Sequence, residues 1–556
     1  MELYFKTWLG ISLTAFTIGT VALLSSCGGK DPVAEVPLSI TSFTPTAGSD
    51  GTVVKITGTG FSATAAENQV TFGTASATVT AATETQLTVN LPPSLPYGAI
   101  KITVTTGGKS VESASSFTAG LELLEGDITT DKRLVKTKRY LLKGKVLVTG
   151  GATLTIDPGV IIKGDKASAA TLIIGRGAKI NAVGTAQEPI VFTSNQSKGN
   201  RSYGDWGGVI LLGKAPVNQQ GDQNIEGLAS DPRYTYGGTD SNDNSGTLKY
   251  VRIEFCGIAL IVGSEINGLT LGGVGAGTTI DYVQVSYCGD DSFEWFGGSV
   301  NAKHLISFRG FDDDFDTDLG YSGKVQFGLG LRDPYVADAS QSNGFESDNS
   351  PSGTGTFATS AIFSNITCVG GASLARGTST QDKVENSNFG RGAHLRRATA
   401  QSIFNSVLVG SNLAGFSIDG SNAQTNFDTG EIQLKGNVLS GTRPLSLPAR
   451  GGDFAYENDG SLGFAAPPAV HSATFSTNNL INQPLADLKI DNLVTFNRLT
   501  NPELLPSGSS ILLTGGAIFT GKADNAFFEK VNYKGAFGPT NWALGWTNFD
   551  PQNLDY

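Results

Sequence analysis

"GATLTIDPGVIIKG", residues 151–164, and "ATLIIGRGAKINAVGTAQEPIVFTS", residues 170–194, decide the fold. Each alternates apolar and polar residues over short runs, breaks at Gly or Asn, and starts again after about twenty residues. A unit of that length buries its apolar face only by stacking on its neighbours, so it reads as one coil of a solenoid. A leucine-rich repeat would bring Leu-x-x-Leu-x-Leu and a helix-forming half, and neither occurs.

The same grammar recurs along the chain. "YVRIEFCG" (250–257) returns as "YVQVSYCG" (282–289), with Cys256 and Cys288 in one slot, and "AIFSNITC" (361–368) returns as "SIFNSVLV" (402–409). Equivalent positions on adjacent coils lie about 4.8 Å apart. That spacing is compatible with a Cys256–Cys288 disulfide; the alternative is a ladder of free thiols. With Cys368 the count of cysteines beyond residue 27 is odd, which excludes a cysteine-stapled fold.

Gly is 72 of 556 residues, nearly twice the usual share, and the net charge is −11. No sustained helical spacing is present, so the chain reads as all-β. The acidic balance and the lack of any basic stripe exclude nucleic acid as a partner. His304, His394 and His471 stand far apart and read as structural.

At the start, Lys6 precedes the apolar run "WLGISLTAFTIGTVALL" and then "LSSCGG", the layout of a secretory signal peptide over 1–26. Leu24-Ser25-Ser26-Cys27 resembles the bacterial lipobox, which implies acylation of Cys27. Gly28 in place of Asp implies the outer membrane of a Gram-negative bacterium; the Lys30-Asp31 pair is a faint signal for the cell surface, with the periplasmic face as the alternative. Residues 27–36 read as a tether.

Residues 37–119 show short alternating runs with Gly turns and predict a small β-sandwich. Ser42-Phe43-x-Pro45, Gly58-x-Gly60-Phe61 and Asn68-x-Val70-x-Phe72-Gly73 resemble the immunoglobulin-like TIG/IPT module. Residues 120–556 resemble right-handed parallel β-helices of the pectin-lyase-like group. The ending "YKGAFGPTNWALGWTNFDPQ" reads as a C-terminal cap over the last coil.

Two acidic windows stand out: "GDDSFEWFGG" (289–298) and "GFDDDFDTDLGYSG" (310–323). Asp291-Ser-Phe293-Glu294 matches Asp313-Asp-Phe315-Asp316 at an offset of 22, with a looser copy at Asn343-Gly-Phe345-Glu346. Stacked coils would turn these into columns. Phe293, Phe315 and Phe345 would point inward, and Glu294, Asp316 and Glu346 toward solvent. Asp291 with Asp313, and Asp318 with Asp348, would form further columns.

Stacked carboxylates need a remedy. A Ca²⁺ held by Asp291, Glu294, Asp313, Asp316 and Asp318 is one. Arg309, Lys324 or Arg332 in the same layer is another. A protonated carboxyl poised for acid–base work at Asp290, Asp291, Asp313 or Asp316 is the third. Solvated turns are the fourth. In "GGTDSNDNSG" (237–246), Asp240, Asn242 and Asn244 alternate as in a calcium loop, but Gly246 falls at the seventh place and not the sixth that an EF-hand requires, so a Gly/Asn/Asp-rich turn is the simpler account.

Gly289-Asp290-Asp291 resembles the paired-Asp element of polygalacturonase-type glycoside hydrolases. That family's Asn-x-Asp, Gly-His-Gly and Arg-x-Lys are missing; "DTD" (316–318) follows the pair, and "GAHLRR" (392–397) is a partial echo. A lyase version would put Ca²⁺ on the Asp columns and use Arg309 or Arg332 as base. "YGGTDSNDNSGTLKYVRIEFCG", "DDSFEWFGGSVNAKHL" and "DDDFDTDLGYSGKVQF" are similar to a broad group of exported bacterial lipoproteins, a resemblance that implies a surface β-helix and no mechanism. The expected task is binding of a glycan or an outer-membrane protein partner, with Trp206, Trp295 and Tyr321 exposed on the solenoid. A carbohydrate-active enzyme and a structural or adhesive surface protein are the alternatives.

Overall fold

The computed structural model describes residues 36–49, 51–92, 95, 97–261, 264–370, 386, 388–442, 450–458, 460–490 and 500–556. The expected signal peptide over 1–26 and the expected lipidation site Cys27 lie outside the described residues. Among them, no helix is long and apolar enough to cross a membrane.

Residues 38–119 form a β-sandwich. Val53–Thr59 alternates strictly, with Val54 and Ile56 inward, and pairs antiparallel with Ser39–Thr44 and Gln86–Asn90. A second, three-stranded sheet carries Phe117, which meets Phe72 edge-on at 5.0 Å inside the core. At the junction Gly120 adopts φ +68, and a Cβ there would lie 2.7 Å from the Tyr97 nitrogen. Tyr97 then touches the next domain, where Lys163 Nζ donates to its hydroxyl at 3.1 Å.

From Leu121 to Gln483 the strands join one 26-stranded, predominantly parallel sheet wound into a β-helix. One face stacks Leu269–Gly272, Phe293–Phe296, Phe315–Asp318, Phe345–Ser347, Arg391–Leu395, Ala414–Asp419 and Gly452–Glu457. The other two faces come from long strands such as Gly246–Glu254, Thr279–Ser286, Asn301–Phe308 and Lys324–Leu331.

Each long strand bends at one residue of positive φ: Tyr250, Tyr282, His304 and Phe327. That conformation costs about 1–2 kcal/mol per non-glycine residue. Stacking of the same side chains offsets it, with Tyr250 on Tyr282 at 4.5 Å and Tyr282 on His304 at 4.1 Å. On later coils the bend falls on Asn365 and Asn405, a residue type that tolerates this region.

The Cys256–Cys288 disulfide is not formed; the structure has the alternative, buried free thiols, and Cys368 is free as well. Two sequence expectations are corrected. Ile362 pairs with Ser402 and Phe363 with Ile403, one residue off the alignment of the two motifs; this register keeps both Phe363 and Ile403 in the core. The C-terminal segment is not a cap. It runs back along the solenoid as a strap: Asn405 donates to the Ile518 carbonyl, Asn365 to that of Tyr533, and Gln326 and Gln284 each exchange two hydrogen bonds with Glu529 and Asn548. Trp546 is buried under it, against Ile306, Leu329 and their neighbours. The last coil is covered instead by helix Ala469–Asn478, whose Phe475 stacks on Phe454 at 4.2 Å.

Candidate functional site

The face that begins at Leu269 follows from the period-2 alternation of its strands. Phe293, Phe315 and Phe345 point inward in register, with ring centroids 5.7 and 5.5 Å apart. Outward, Thr270, Glu294, Asp316, Glu346 and His394 form one column. Asp318 opens a second, continued by Asp348 and Arg396 just past the strand ends and by the paired Asp419 and Glu457.

At one end of this face the charges are nearly all negative. Three overlapping groups bring carboxylate oxygens within 4.8 Å of one another: Asp290, Asp291 and Asp312; Asp291, Glu294 and Asp316; Asp313, Asp316 and Glu346. Two unit charges at the coil spacing repel by about 3 kcal/mol at an effective dielectric constant of ~20. The columns are less open to solvent than alternation alone implies: Glu294 is buried and Asp316 half-buried.

Burial, then the neighbouring carboxylates, drive these groups up. Asp291 is raised well above the usual range by burial and by Asp313, Glu294 by burial and by Asp316, and Asp313 and Asp316 by burial and by Glu346. Asp290 follows, by burial and by Asp312. Asp312 and Asp318 are each pushed up to about 7, by burial and by Glu346 and Asp348 respectively.

Hydrogen bonds satisfy part of the cluster. The Asp313 N–H donates to Asp291 at 2.7 Å, the Asn343 N–H donates to Asp313, and the Asn267 amide donates to Glu294. Four buried oxygens have no partner: Asp312 Oδ1, Asp316 Oδ1, Asn267 Oδ1 and Thr270 Oγ1. Unfilled acceptors beside unpaired carboxylates are the donor set of a hard, oxygen-seeking cation, so the residues fit Ca²⁺.

At the other end the carboxylates are paired with cations. Arg396 binds Glu346 and Asp348, and Arg397 binds Asp348 at 2.6 Å. Arg391 holds Glu457 with two hydrogen bonds, and His394 Nε2 lies 3.0 Å from Asp419. Burial alone would raise the Glu346 carboxyl, yet Arg396, His394 and Arg391 pull it down to about 2. His394, Asp419 and Glu457 converge as metal ligands would. Both Glu457 oxygens are already taken by Arg391, so this trio is a charge network and not a metal centre.

The structure places Asp290, Asp291, Glu294, Asp313 and Asp316 in these overlapping groups, with Asp318 opening the second column beside them. It withdraws the three aromatics: Trp206, Trp295 and Tyr321 are each 0% exposed. Trp206 donates to the Glu254 carbonyl, Trp295 stacks on Tyr321 at 5.3 Å, and the Tyr321 hydroxyl donates to the Val300 carbonyl. They fill the interior where small residues leave room, as at Gly164, whose Cβ would lie 2.5 Å from Trp206.

The cations offered from sequence sit elsewhere. Arg332 is buried against Asp314 and the Asp312 carbonyl, Arg309 lies by Tyr287 and Asp333, and Lys324 begins a strand on another face. Those that reach the columns, Arg396 and Arg397, were visible only as "GAHLRR". In the 237–246 loop Asp240 accepts from the Asn242 N–H and Asn244 from that of Gly246, which is turn chemistry.

The pectate-lyase-like beta helix domain model matches residues 126–444, and the IPT/TIG domain model matches 38–119. Among solved structures, pectate lyase Pel9A is 13% identical with a TM-score of 0.31, over 69% of this chain and 89% of that one. A structural genomics protein of unknown function from Bacteroides thetaiotaomicron VPI-5482 is 27% identical with a TM-score of 0.15, over 16% of this chain. An auxiliary nutrient binding protein from Bacteroides ovatus ATCC 8483 is 26% identical with a TM-score of 0.14, also over 16%. The chain covers only 22% of the length of each of these last two. A search of curated proteins returned no match.

Proposed function

We infer that this chain, which belongs to the pectate-lyase-like beta helix domain family and carries an IPT/TIG domain ahead of the helix, is a lipid-anchored outer-membrane surface protein that binds glycan without transforming it. The observation that carries the binding reading is the row of unpaired carboxylates and orphaned oxygens on one outer face. Asp291, Glu294, Asp316 and the Asn267 amide oxygen would hold a Ca²⁺, flanked by Asp313 and Asp318. The ion, when bound, supplies the positive charge that keeps these groups ionised and coordination positions for sugar oxygens.

The chain's own residues explain why binding is preferred to catalysis. Arg309 and Arg332, either of which would serve a lyase as its base, are held against Asp333 and Asp314. The anchor rests on the lipobox at Cys27, and the sandwich between anchor and solenoid would hold the acidic face away from the membrane. The second reading, a carbohydrate-active enzyme, draws on Asp312: a carboxyl raised to about 7 beside Asp290, Asp291, Asp313 and Asp316 keeps a transferable proton near neutrality.

Affinity electrophoresis through neutral and acidic polysaccharides, with Ca²⁺ or with EDTA, tests the reading. Retardation that requires Ca²⁺ and disappears in Asp316→Asn is expected. No retardation by any polysaccharide would sink it. New reducing ends, or absorbance from a new unsaturated bond, would replace it with the enzymatic reading.

A further inference from the structure

The strap and the helix that covers the last coil leave a cavity of about 470 Å³ between them. That lies within the range of small-ligand pockets, ~300–1,000 Å³. Helix Ala469–Asn478 contributes its last residues and Leu480 follows, while the strap supplies Ile511, Gly515, Gly516, Ile518 and Lys534. None of these belongs to the acidic columns or to the cations paired with them.

Lys534 is 5% exposed. Its Nζ donates to the Gly516 carbonyl at 2.6 Å and weakly to that of Gly515 at 3.4 Å. An ammonium has three protons, so one is left unused. Both glycines line the cavity, and a Cβ on Gly515 would lie 3.8 Å from Nζ, which puts the ammonium at that wall. The buried Arg252, Arg332 and Arg391 each face a carboxylate, of Glu254, Asp314 and Glu457. Lys534 has no such partner among the described residues, and burial alone pushes it below the usual lysine range. A buried cation without an opposite charge is costly, and an anion in the cavity would offset that cost.

The rest of the lining decides which anion. The hydroxyls of Ser476 and Thr477 donate to the Ser472 and Ala473 carbonyls, and Asn479 Nδ2 donates to those of Leu434 and Phe475. The side-chain donors that remain are the third Lys534 proton, the second amide protons of Asn478 and Gln483, and the Thr514 hydroxyl. One positive charge with a few neutral donors balances a single negative charge, and a dianion would be left half compensated. Leu480, Ile511 and Ile518 supply apolar wall beside it. We propose that this cavity binds a monocarboxylate with a short aliphatic body, its carboxylate on the Lys534 ammonium and its hydrocarbon against Leu480, Ile511 and Ile518. The site stands apart from the glycan-binding reading and does not depend on it.

Saturation-transfer titration of the full chain with hexanoate tests the proposal, with 1-hexanol as the body without the charge. Inorganic phosphate, added as a competitor, is the charge without the body. Hexanoate should bind at least tenfold more tightly than hexanol, and phosphate should not displace it. Lys534→Met should weaken hexanoate more than tenfold. Leu480 is 39% exposed, so Leu480→Glu keeps the fold even where Lys534→Met does not, and its added negative charge should weaken hexanoate several-fold. Silence from hexanoate, equal binding of hexanol, displacement by phosphate, or affinity unchanged in both variants would overturn the proposal. Asp316→Asn should leave hexanoate binding unchanged.

Discussion

Removing divalent cations should make this protein less stable as pH rises from 5 to 7, the reverse of ordinary acid denaturation. Asp312 and Asp318 carry the argument, each moved from 3.8 to about 7 in the folded chain. Asp312 faces Glu346, Asp338 and Arg332, and Asp318 faces Asp348, Arg397 and Arg396. A carboxyl whose folded value is raised keeps its proton when the unfolded chain has lost it. Stability is therefore greatest below the unfolded value and falls as pH climbs toward the folded one.

Between pH 5 and pH 7 each group forfeits about 2.3 kcal/mol, because it is half titrated at the upper end, at ~1.36 kcal/mol per unit. Both side chains keep some contact with water, so about half of that is retained, or about 2 kcal/mol for the pair. Glu346, lowered to about 2, stabilises the fold fully above its ordinary value of 4.5 and stays constant across this window. Urea unfolding in EDTA at about pH 5 and pH 7 measures the difference. Wild type should unfold at lower urea at the higher pH, and Asp312→Asn/Asp318→Asn should recover about 2 kcal/mol of the loss. A midpoint that rises with pH, or a double variant with an unchanged slope, would refute the reasoning.

Other consequences are open to measurement. Ca²⁺ at a hundred times its dissociation constant should stabilise the chain by about 2.7 kcal/mol at neutral pH, read as a higher thermal midpoint, and Asp316→Asn should abolish the rise. Phe315→Ala removes the middle ring of the inward column and should cost about 3–5 kcal/mol in urea unfolding. Cys256, Cys288 and Cys368 should all react with a thiol reagent after unfolding without reductant, and scarcely at all before it. Radiolabelled fatty acid should enter the protein in a Gram-negative host and fail to do so in Cys27→Ser.

The solenoid and the acidic columns were legible because their signal is short-range. Two coils at an offset of 22 repeat the same residues in the same order, and strand pairing sets Phe293 over Phe315 and Glu294 over Asp316. The cationic partners were not, because Arg396 follows Asp348 by 48 positions, long enough to hide the stacking of one coil on the next. Aromatics in Gly-rich turns misled for a different reason. Trp206, Trp295 and Tyr321 lie among residues typical of exposed loops, yet Gly164 and Gly323 leave room for Trp206 and Tyr321, and Trp295 turns inward by alternation in the strand Phe293–Phe296. The terminal segment "NWALGWTNF" announced an apolar contact without saying where. Helix Ala469–Asn478 had already covered the last coil, so Trp546 found its surface on the side.

The strap alters what kind of object this solenoid is. A stack of coils is ordinarily one-dimensional: each unit answers only to its neighbours, and an array can fray from either end. Here the carbonyl of Tyr556 accepts from Lys163 Nζ, 393 positions earlier, and the intervening strap is stitched to successive coils on the way. Such binding works like the spine of a book: loosening one page pulls on all of them, so unfolding should be a single event along the spine's length. It also sets a clock. In a chain made amino end first the strap follows the coils it fastens, so the stack is complete in outline before it is latched.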